Sequence, residues 1–400
     1  DQRAAMYIAF PQAVPRKAVH DPAVCINCFG KKLGKRVFDR KGEEVKAFCE
    51  RACAAGAIDR SRDWNPEGEV VELSVGTIIV ATGYDPFDKA RIREYSPENP
   101  NVVTALQYER LMSATGPTLG EVKRPSDGRV PEAISFISCV GSRDERFHTY
   151  CSKVCCMYMV KQARLTKEKY PETDVYVHFM DMRTPGKDFE EYYGYCRELG
   201  VHFIRGRVAA VEELPSGRLR VRGDDADLGA PIEVEVDLVV LAVGLEPTRG
   251  TEELAKKLNI PLGPSGFYQE IHPKLKPVST VVENVFIAGV CQGPKDIPES
   301  IAQAKAAASA AAIPMSVGRV NVEPFIPDID VDLCTGCGKC VNVCPYEALS
   351  LDEPEGTAKV VEVKCKGCGA CSATCPVGAV QLRHFKDDQM LAQVTALTAG

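Results

Sequence analysis

The sequence predicts an α/β protein in which two nucleotide-binding-type domains are nested one inside the other and flanked by cysteine-rich modules. Three observations lead there. Two apolar strands, at Thr77–Val80 and Asp237–Val243, each run into a glycine turn, at Ala81-Thr82-Gly83 and at Gly244; buried parallel strands beside a cofactor behave this way. Between them, Ile134–Cys139 reads as a buried strand and residues 151–167 as a helix, which is the opening of a βαβ unit. Beyond residue 320 a four-cysteine pattern occurs twice in tandem.

Composition narrows the class. An apolar share of 45% can build real cores. The net charge of −6 argues against a nucleic-acid binder, which would carry a basic stripe. No apolar run reaches the length that spans a bilayer. The start, Asp1-Gln-Arg-Ala-Ala, has no signal-peptide pattern and no initiator Met, so residue 1 is expected to lie inside a longer chain. Eighteen cysteines are too many for an ordinary soluble enzyme. Disulfide scaffolds are short and secreted, whereas sixteen of these cysteines fall into four groups of four. Their spacing is that of metal clusters and places the protein in a reducing cytoplasm.

The tandem pattern is the most specific. Cys334-Thr-Gly-Cys337-Gly-Lys-Cys340-Val-Asn-Val-Cys344-Pro345 repeats as Cys365-Lys-Gly-Cys368-Gly-Ala-Cys371-Ser-Ala-Thr-Cys375-Pro376. This is C-x2-C-x2-C-x3-C-P twice, the signature of two [4Fe–4S] clusters in which the fourth cysteine of each run ligates the other cluster. One set is then Cys334, Cys337, Cys340 and Cys375; the other is Cys365, Cys368, Cys371 and Cys344.

A second group sits where a dinucleotide-binding fold carries its glycine-rich turn. Cys139 ends the strand, and Cys151, Cys155 and Cys156 follow on the expected helix, with only Gly141 between. Residues i and i+4 share a helical face, so Cys151 and Cys155 line up, with Cys156 about 100° further round. Four thiolates at the mouth of a βα unit suit one [4Fe–4S] cluster, with the helix N-terminus favouring its negative charge; a redox disulfide and inert buried thiols are the rival readings. Lys161 lies on the same helix. Such a lysine is ordinarily solvated, but it follows the apolar run Met157–Val160, which gives it a route to the interior.

The first group is looser. Cys25-Ile-Asn-Cys28, a basic insertion and Cys49-Glu-Arg-Ala-Cys53 end in Gly-Ala-Ile, like the tail of a bacterial ferredoxin motif with Ala54 in place of Pro. A cluster, a tetrahedral zinc or neither remain open there. Towards the C-terminal side of the nested domain, Val285–Gly289 is a strand ending in glycine, followed by a loop through Ile297, Pro298 and Glu299 and an Ala-rich helix from Ile301 to about Ala312. A glycine, a loop and a helix N-terminus aimed at one spot can hold a phosphate or a flavin ring edge. Val290 stands where disulfide-reductase flavoproteins have Asp. The expected organisation is 1–70, a partial ferredoxin-like module; 71–130 with 246–320, part of an FAD-binding domain; 131–245, the nested domain; and 321–400, a two-cluster ferredoxin domain.

The chain resembles the A-subunit family of heterodisulfide reductase. The marks are Phe10-Pro-Gln-Ala-Val-Pro15, Cys139-Val-Gly-Ser-Arg143, Tyr150-Cys151 with Cys155-Cys156, the stretch Gly289–Glu299 and the tandem motif. The resemblance implies a thioredoxin-reductase-like flavoprotein decorated with ferredoxin modules. It implies an oxidoreductase component with FAD and several [4Fe–4S] clusters: two in the C-terminal domain, one at 139–156 and one at 25–53. It makes Cys139, Cys151, Cys155 and Cys156 ligands, Lys161 a neighbour of the flavin, and Ala81, Thr82, Gly83, Gly244, Gly289, Ile297, Pro298 and Glu299 flavin contacts. The implied partners are B- and C-like subunits, a hydrogenase- or formate-dehydrogenase-linked donor and ferredoxin, with the flavin splitting electron pairs between two acceptors. The family's N-terminal FAD fingerprint is not in this sequence, so the chain is expected to be a C-terminal portion or a split subunit. Two alternatives stand beside this: an NAD(P)H-dependent flavin reductase, and a non-catalytic cluster relay of an acyl-CoA-reducing complex.

Overall fold

A computed structural model describes residues 6–7, 19–20, 52–55, 71–318 and 324–398. Contacts divide the chain into two units, 1–74 and 75–400. In the first, strands β1 (Met6–Tyr7) and β2 (Val19–His20) pair antiparallel. Cys25, Cys28 and Cys49 lie outside the described residues, and Cys53 is half-buried.

The second unit opens with β3 (Ile78–Val80), β4 (Asp85–Pro86) and β5 (Val102–Thr104). Helix α1 (Ala105–Met112) follows, started by a capping box between Thr104 and Gln107. Next come β6 (Ala133–Val140), α2 (Cys155–Lys169), β7 (Asp174–Phe179), α3 (Phe189–Glu198) and β8 (His202–Arg205). An antiparallel meander, β9 (Val208–Glu213), β10 (Leu219–Asp225) and β11 (Ala230–Val236), leads to β12 (Leu238–Val243). The hairpin between β9 and β10 turns at Ser216-Gly217, as its polar residues predict.

Strands β5, β12, β6, β7 and β8 lie in that order in one parallel sheet. All six residues of β12 are buried, the property of a parallel strand covered on both faces. Helices α1, α2 and α3 cover one face through Tyr108, Met159, Val160, Ala163 and Cys196. The meander covers the other through Val211, Leu219 and Val221. The sheet also takes in β5 and α1, which sequence reasoning places ahead of the nested domain; three residues of strand inside a polar, Pro-rich stretch leave no alternation to read. Helix α2 starts at Cys155 rather than at 151, so Cys151 lies in the preceding turn and does not share a helical face with Cys155.

Strand β13 (Leu245–Glu246) returns to pair with β4, α4 (Thr251–Leu258) follows, and β14 (Val285–Ile287) pairs parallel with β3. Helix α5 (Ile297–Val317) begins four residues earlier than its alanines suggest. Asp296 caps it reciprocally with Glu299, and Pro298 is tolerated in the first turn. The remainder carries β15 (Pro327–Ile329), α6 (Lys339–Val343), β16 (Leu349–Asp352), β17 (Thr357–Val360), α7 (Ala370–Thr374), β18 (Val380–Leu382) and α8 (Asp387–Thr398). Each short helix follows a C-x2-C pair, so the internal repeat of the sequence is a repeat of structure. Among the described residues no helix is long and apolar enough to cross a membrane.

His178 on β7 is 3% exposed, and its Nε2 has no hydrogen-bond partner. Burial holds its pKa down to about 4, against an ordinary 6.5. The unfolded chain therefore binds this proton first as pH falls. The stabilisation is complete above about pH 6.5 and is lost as pH drops towards 4, by at most about 3 kcal/mol. Denaturant titrations from pH 7 to 4.5 are expected to show this loss in the protein and a smaller one in His178→Gln.

Candidate metal centres

The end of β6 is irregular in a way that matters. Ile137 pairs with Leu241 and Val140 with Val243, so three steps on β6 face two on β12. The extra residue makes a bulge, a device that re-aims a side chain. Within it Cys139 has φ +55°, a left-handed conformation unusual for a residue with a Cβ. Arg143 and Lys153 share that conformation at the two ends of the following loop, and backbone held this way collects at functional sites.

The bulge brings Cys139 to Cys151, Cys155 and Cys156, whose thiols interact with one another. None of the four is in a disulfide. Burial pushes the Cys155 and Cys156 thiols up, and the neighbouring sulfurs add to the rise. Arg143 stands beside Cys139 and pairs with Asp181 at 2.6 Å. The Lys153 amide donates to Cys151 at 3.2 Å, and the Cys156 sulfur lies 3.7 Å from the Asp181 carbonyl. The first turn of α2 has no side-chain cap, leaving its amides open to negative charge. Arg143 Nη1 is buried without a partner. Four thiols gathered beside the Lys153 amide, an uncapped helix start and an orphaned guanidinium nitrogen fit an anionic sulfur cluster.

Two glycines beside this group serve packing. A Cβ on Gly141 would run into the Phe87 ring, and one on Gly244 into the Ser142 hydroxyl. Ser142 and Ser152 bond each other at 2.6 Å, and Ser152 accepts from the Leu245 amide at 2.9 Å, which pins the loop over Gly244. The approach that a pyrophosphate would need at Gly141 is filled by Phe87.

The outer turns are open. Nothing lies within 4 Å of where a Cβ would sit on Gly83 or Gly289. The start of α5 is closed to a phosphate, because Asp296 accepts the Glu299 amide at 2.8 Å and fills the helix end. Lys153 forms an ion pair with Glu299 and holds its carboxyl below the usual range. Lys295, whose pKa burial lowers, bonds Gln292 and the Gly293 carbonyl. Ala81 and Thr82 lead into Gly83; Ile297 is exposed and Pro298 lies in the first helical turn. Lys161 sits further along α2, paired with Glu109 at 2.5 Å, and both side chains are more than 40% exposed. Sequence reasoning passes over Lys153; its one signal is its place inside the cysteine group.

In the C-terminal part, Cys334, Cys337, Cys340 and Cys375 line one cavity together with Gly336, Gly338 and Pro376. Cys371 interacts with Cys365 and Cys368, and Cys344 packs on the apolar cluster that contains Cys365. Backbone amides of Ala348, Ala358 and Gly367 donate to Cys344, Cys334 and Cys365 at 3.3–3.4 Å. Burial raises the Cys375 thiol, but the amides of residues 377–380 outweigh it and hold the group below its usual pKa. Among the described residues no three His, Cys, Asp or Glu side chains stand close enough to chelate one ion. A single tetrahedral zinc needs sulfurs about 3.8 Å apart.

This arrangement defines an iron–sulfur protein on an α/β frame, and residues 333–379 match the family model of the 4Fe-4S dicluster domain. The chain is 53% identical over 99% of its length to a heterodisulfide reductase A-subunit-like protein of Archaeoglobus profundus, covering 60% of that protein. It is 47% identical over 98% of its length to the A-subunit of the H(2):CoB-CoM heterodisulfide,ferredoxin reductase of Methanothermobacter marburgensis, covering 56%. The chain belongs to the heterodisulfide reductase A-subunit family and spans a little over half the length of these relatives. A thioredoxin reductase from T. acidophilum aligns with a TM-score of 0.38 at 13% identity, covering 60% of this chain and 65% of that one, so the fold rests on the strand order described above.

Replacing Cys375 by Ser is expected to remove the cluster of Cys334, Cys337 and Cys340 and to leave the Cys344, Cys365, Cys368 and Cys371 set loaded. Iron analysis should show a loss of about four irons, with one reduced-cluster EPR signal missing.

Proposed function

We propose that this chain is the electron-transfer portion of a heterodisulfide-reductase-type complex, holding FAD between a buried sulfur centre and a two-cluster exit. The observation that carries the reading is the bulge at Cys139, which gathers four thiols where a nicotinamide-binding fold would keep a glycine-rich turn. Phe87 over Gly141 weighs against the NAD(P)H-reductase alternative. When bound, the flavin supplies the conversion between paired and single electrons.

The residues of the chain have separable tasks in this reading. Gly83 and Gly289 leave room for the ring edge, with Ala81, Thr82, Ile297 and Pro298 around it. Lys153, fixed by Glu299, brings a positive charge to that spot and, through its amide, touches Cys151 as well. Cys139, Cys151, Cys155 and Cys156 hold the first cluster. The two C-terminal sets hold the next pair, and Cys337 and Cys368 are exposed, which offers a partner short routes to either cluster. The N-terminal group at Cys25, Cys28, Cys49 and Cys53 would hold a fourth. The partners proposed are B- and C-like subunits, ferredoxin, and a donor that oxidises hydrogen or formate, as the names of relatives suggest. The finer form of the proposal is that the flavin divides electron pairs between a high- and a low-potential acceptor. A reducing cytoplasm suits so many thiolate ligands.

Iron, sulfide and flavin analysis of the intact complex tests this reading. One flavin with at least three [4Fe–4S] clusters attributable to this chain is expected; a flavin-free complex would leave a cluster relay only. Lys153→Ala is expected to shift the flavin potential and weaken flavin retention. Lys161→Ala, which breaks an exposed pair with Glu109, is expected to retain cluster content and shift the potential less. Equal shifts, or a larger one from Lys161, would move the proposed flavin contact to Lys161.

A further inference from the structure

We propose that Lys366 and Glu283 are positioning residues that seat the two-cluster domain on the α4 and β14 part of the chain. In that seat the cluster of Cys344, Cys365, Cys368 and Cys371 faces inward, and the cluster of Cys334, Cys337, Cys340 and Cys375 faces outward, towards a partner. The inference rests on the reading that both sets carry clusters.

Lys366 lies inside a ligand pattern, between Cys365 and Cys368. Its Nζ donates to Glu283 Oε1 at 2.8 Å, and only 20% of its side chain reaches solvent. Among the described residues this is the one ion pair that joins 324–398 to 71–318. Exposed ion pairs often contribute little, because two long side chains must be ordered to make them. Here the backbone has already done part of that ordering. The Thr280 hydroxyl donates to the Val285 carbonyl at 2.8 Å and accepts from the Val282 amide at 3.2 Å. Asn284 is left-handed, and its carbonyl accepts from the Ile78 amide at 2.8 Å. Glu283 thus projects from a turn fixed on both sides, at the entry to β14.

The two sets differ in what surrounds them. Cys344 is followed by Pro345, Tyr346 and Glu347, which line a cleft together with Ala255, Ile260 and Leu262, on and just after α4. Cys365, of the same set, is followed by Lys366 and its pair with Glu283. Residues beside two of the four cysteines therefore meet the α4 and β14 part. The cavity that the other set lines takes all its walls from residues 334–380. Exposure alone does not separate the sets, since Cys337 and Cys368 are both exposed. The seat also has an electrostatic consequence. Reduction adds negative charge to a cluster, and nearby charge sets its potential. Lys366 favours the reduced state of the cluster beside it, and Glu283 offsets part of that effect at this cluster only.

The test uses the complete protein in its complex. A carbodiimide, which joins a carboxylate to an amine in contact with it, is expected to cross-link Glu283 to Lys366, as read by mass spectrometry of the digested chain. The link should be lost in Glu283→Lys and return in Glu283→Lys combined with Lys366→Glu. Its absence from the native protein overturns the seat, whether or not any variant folds. The EPR signals of the two clusters are assigned as those lost in Cys365→Ser and in Cys375→Ser, and both midpoints are titrated in the native protein and in Glu283→Gln. With iron and sulfide unchanged, the reduced-to-oxidised ratio at the native midpoint is expected to rise about two- to fivefold at the Cys365-dependent cluster, the effect of a partly exposed ion pair. The Cys375-dependent cluster should not move. An unmoved Cys365-dependent midpoint, or an equal shift in both, overturns the inward and outward assignment and leaves the cluster reading intact. Absence of either signal overturns the cluster reading, and this inference with it.

Discussion

One extra residue in β6 controls the rest of the site. Without the bulge, Cys139 would point to the same face of the sheet as Ile137, two residues before it and buried. With it, the chain turns left-handed at Cys139, and the sulfur faces the loop that delivers Cys151 and the start of α2. The cost of such backbone is of order 1–3 kcal/mol, and it persists because the surroundings fix it. Arg143 is tied to Asp181, the two serine hydroxyls are tied over Gly244, and Phe87 closes the space above Gly141. The same features that hold the thiols together occupy the path a dinucleotide would take.

The two kinds of sulfur site differ in physical setting. In the C-terminal repeat the sulfurs take backbone amides at 3.3–3.4 Å, and Cys337 and Cys368 reach solvent. At the end of β6, Cys155 and Cys156 are buried, and Arg143 stands beside Cys139. Cluster potentials depend on charge, hydrogen bonds and exposure. A largely buried centre and a pair that each present one exposed cysteine are suited to different positions in a chain of carriers.

Much of this is legible in the sequence. The tandem motif announces a 4Fe-4S dicluster domain because its spacing is set by local turns that any sequence of that pattern must make. The apolar run of β12 announces a doubly covered strand. The bulge is not legible, since nothing in Ile134–Val140 departs from a plain strand until its partner register is known. The i, i+4 cysteine pair imitates helical periodicity and so moves the expected start of α2 four residues early. Lys153 escapes sequence reasoning because a lysine in a turn looks ordinary until its tertiary contact with Glu299 gives it work.

The central claim is that sulfur ligands occupy the mouth of the nested βαβ unit. An experimental map of the complex, collected at the iron absorption edge, tests it most directly. The account predicts iron density joined to Cys139, Cys151, Cys155 and Cys156 beside the bulge. Four metal-free thiols standing apart, with a nucleotide lying across Gly141 and Phe87 displaced, would contradict it.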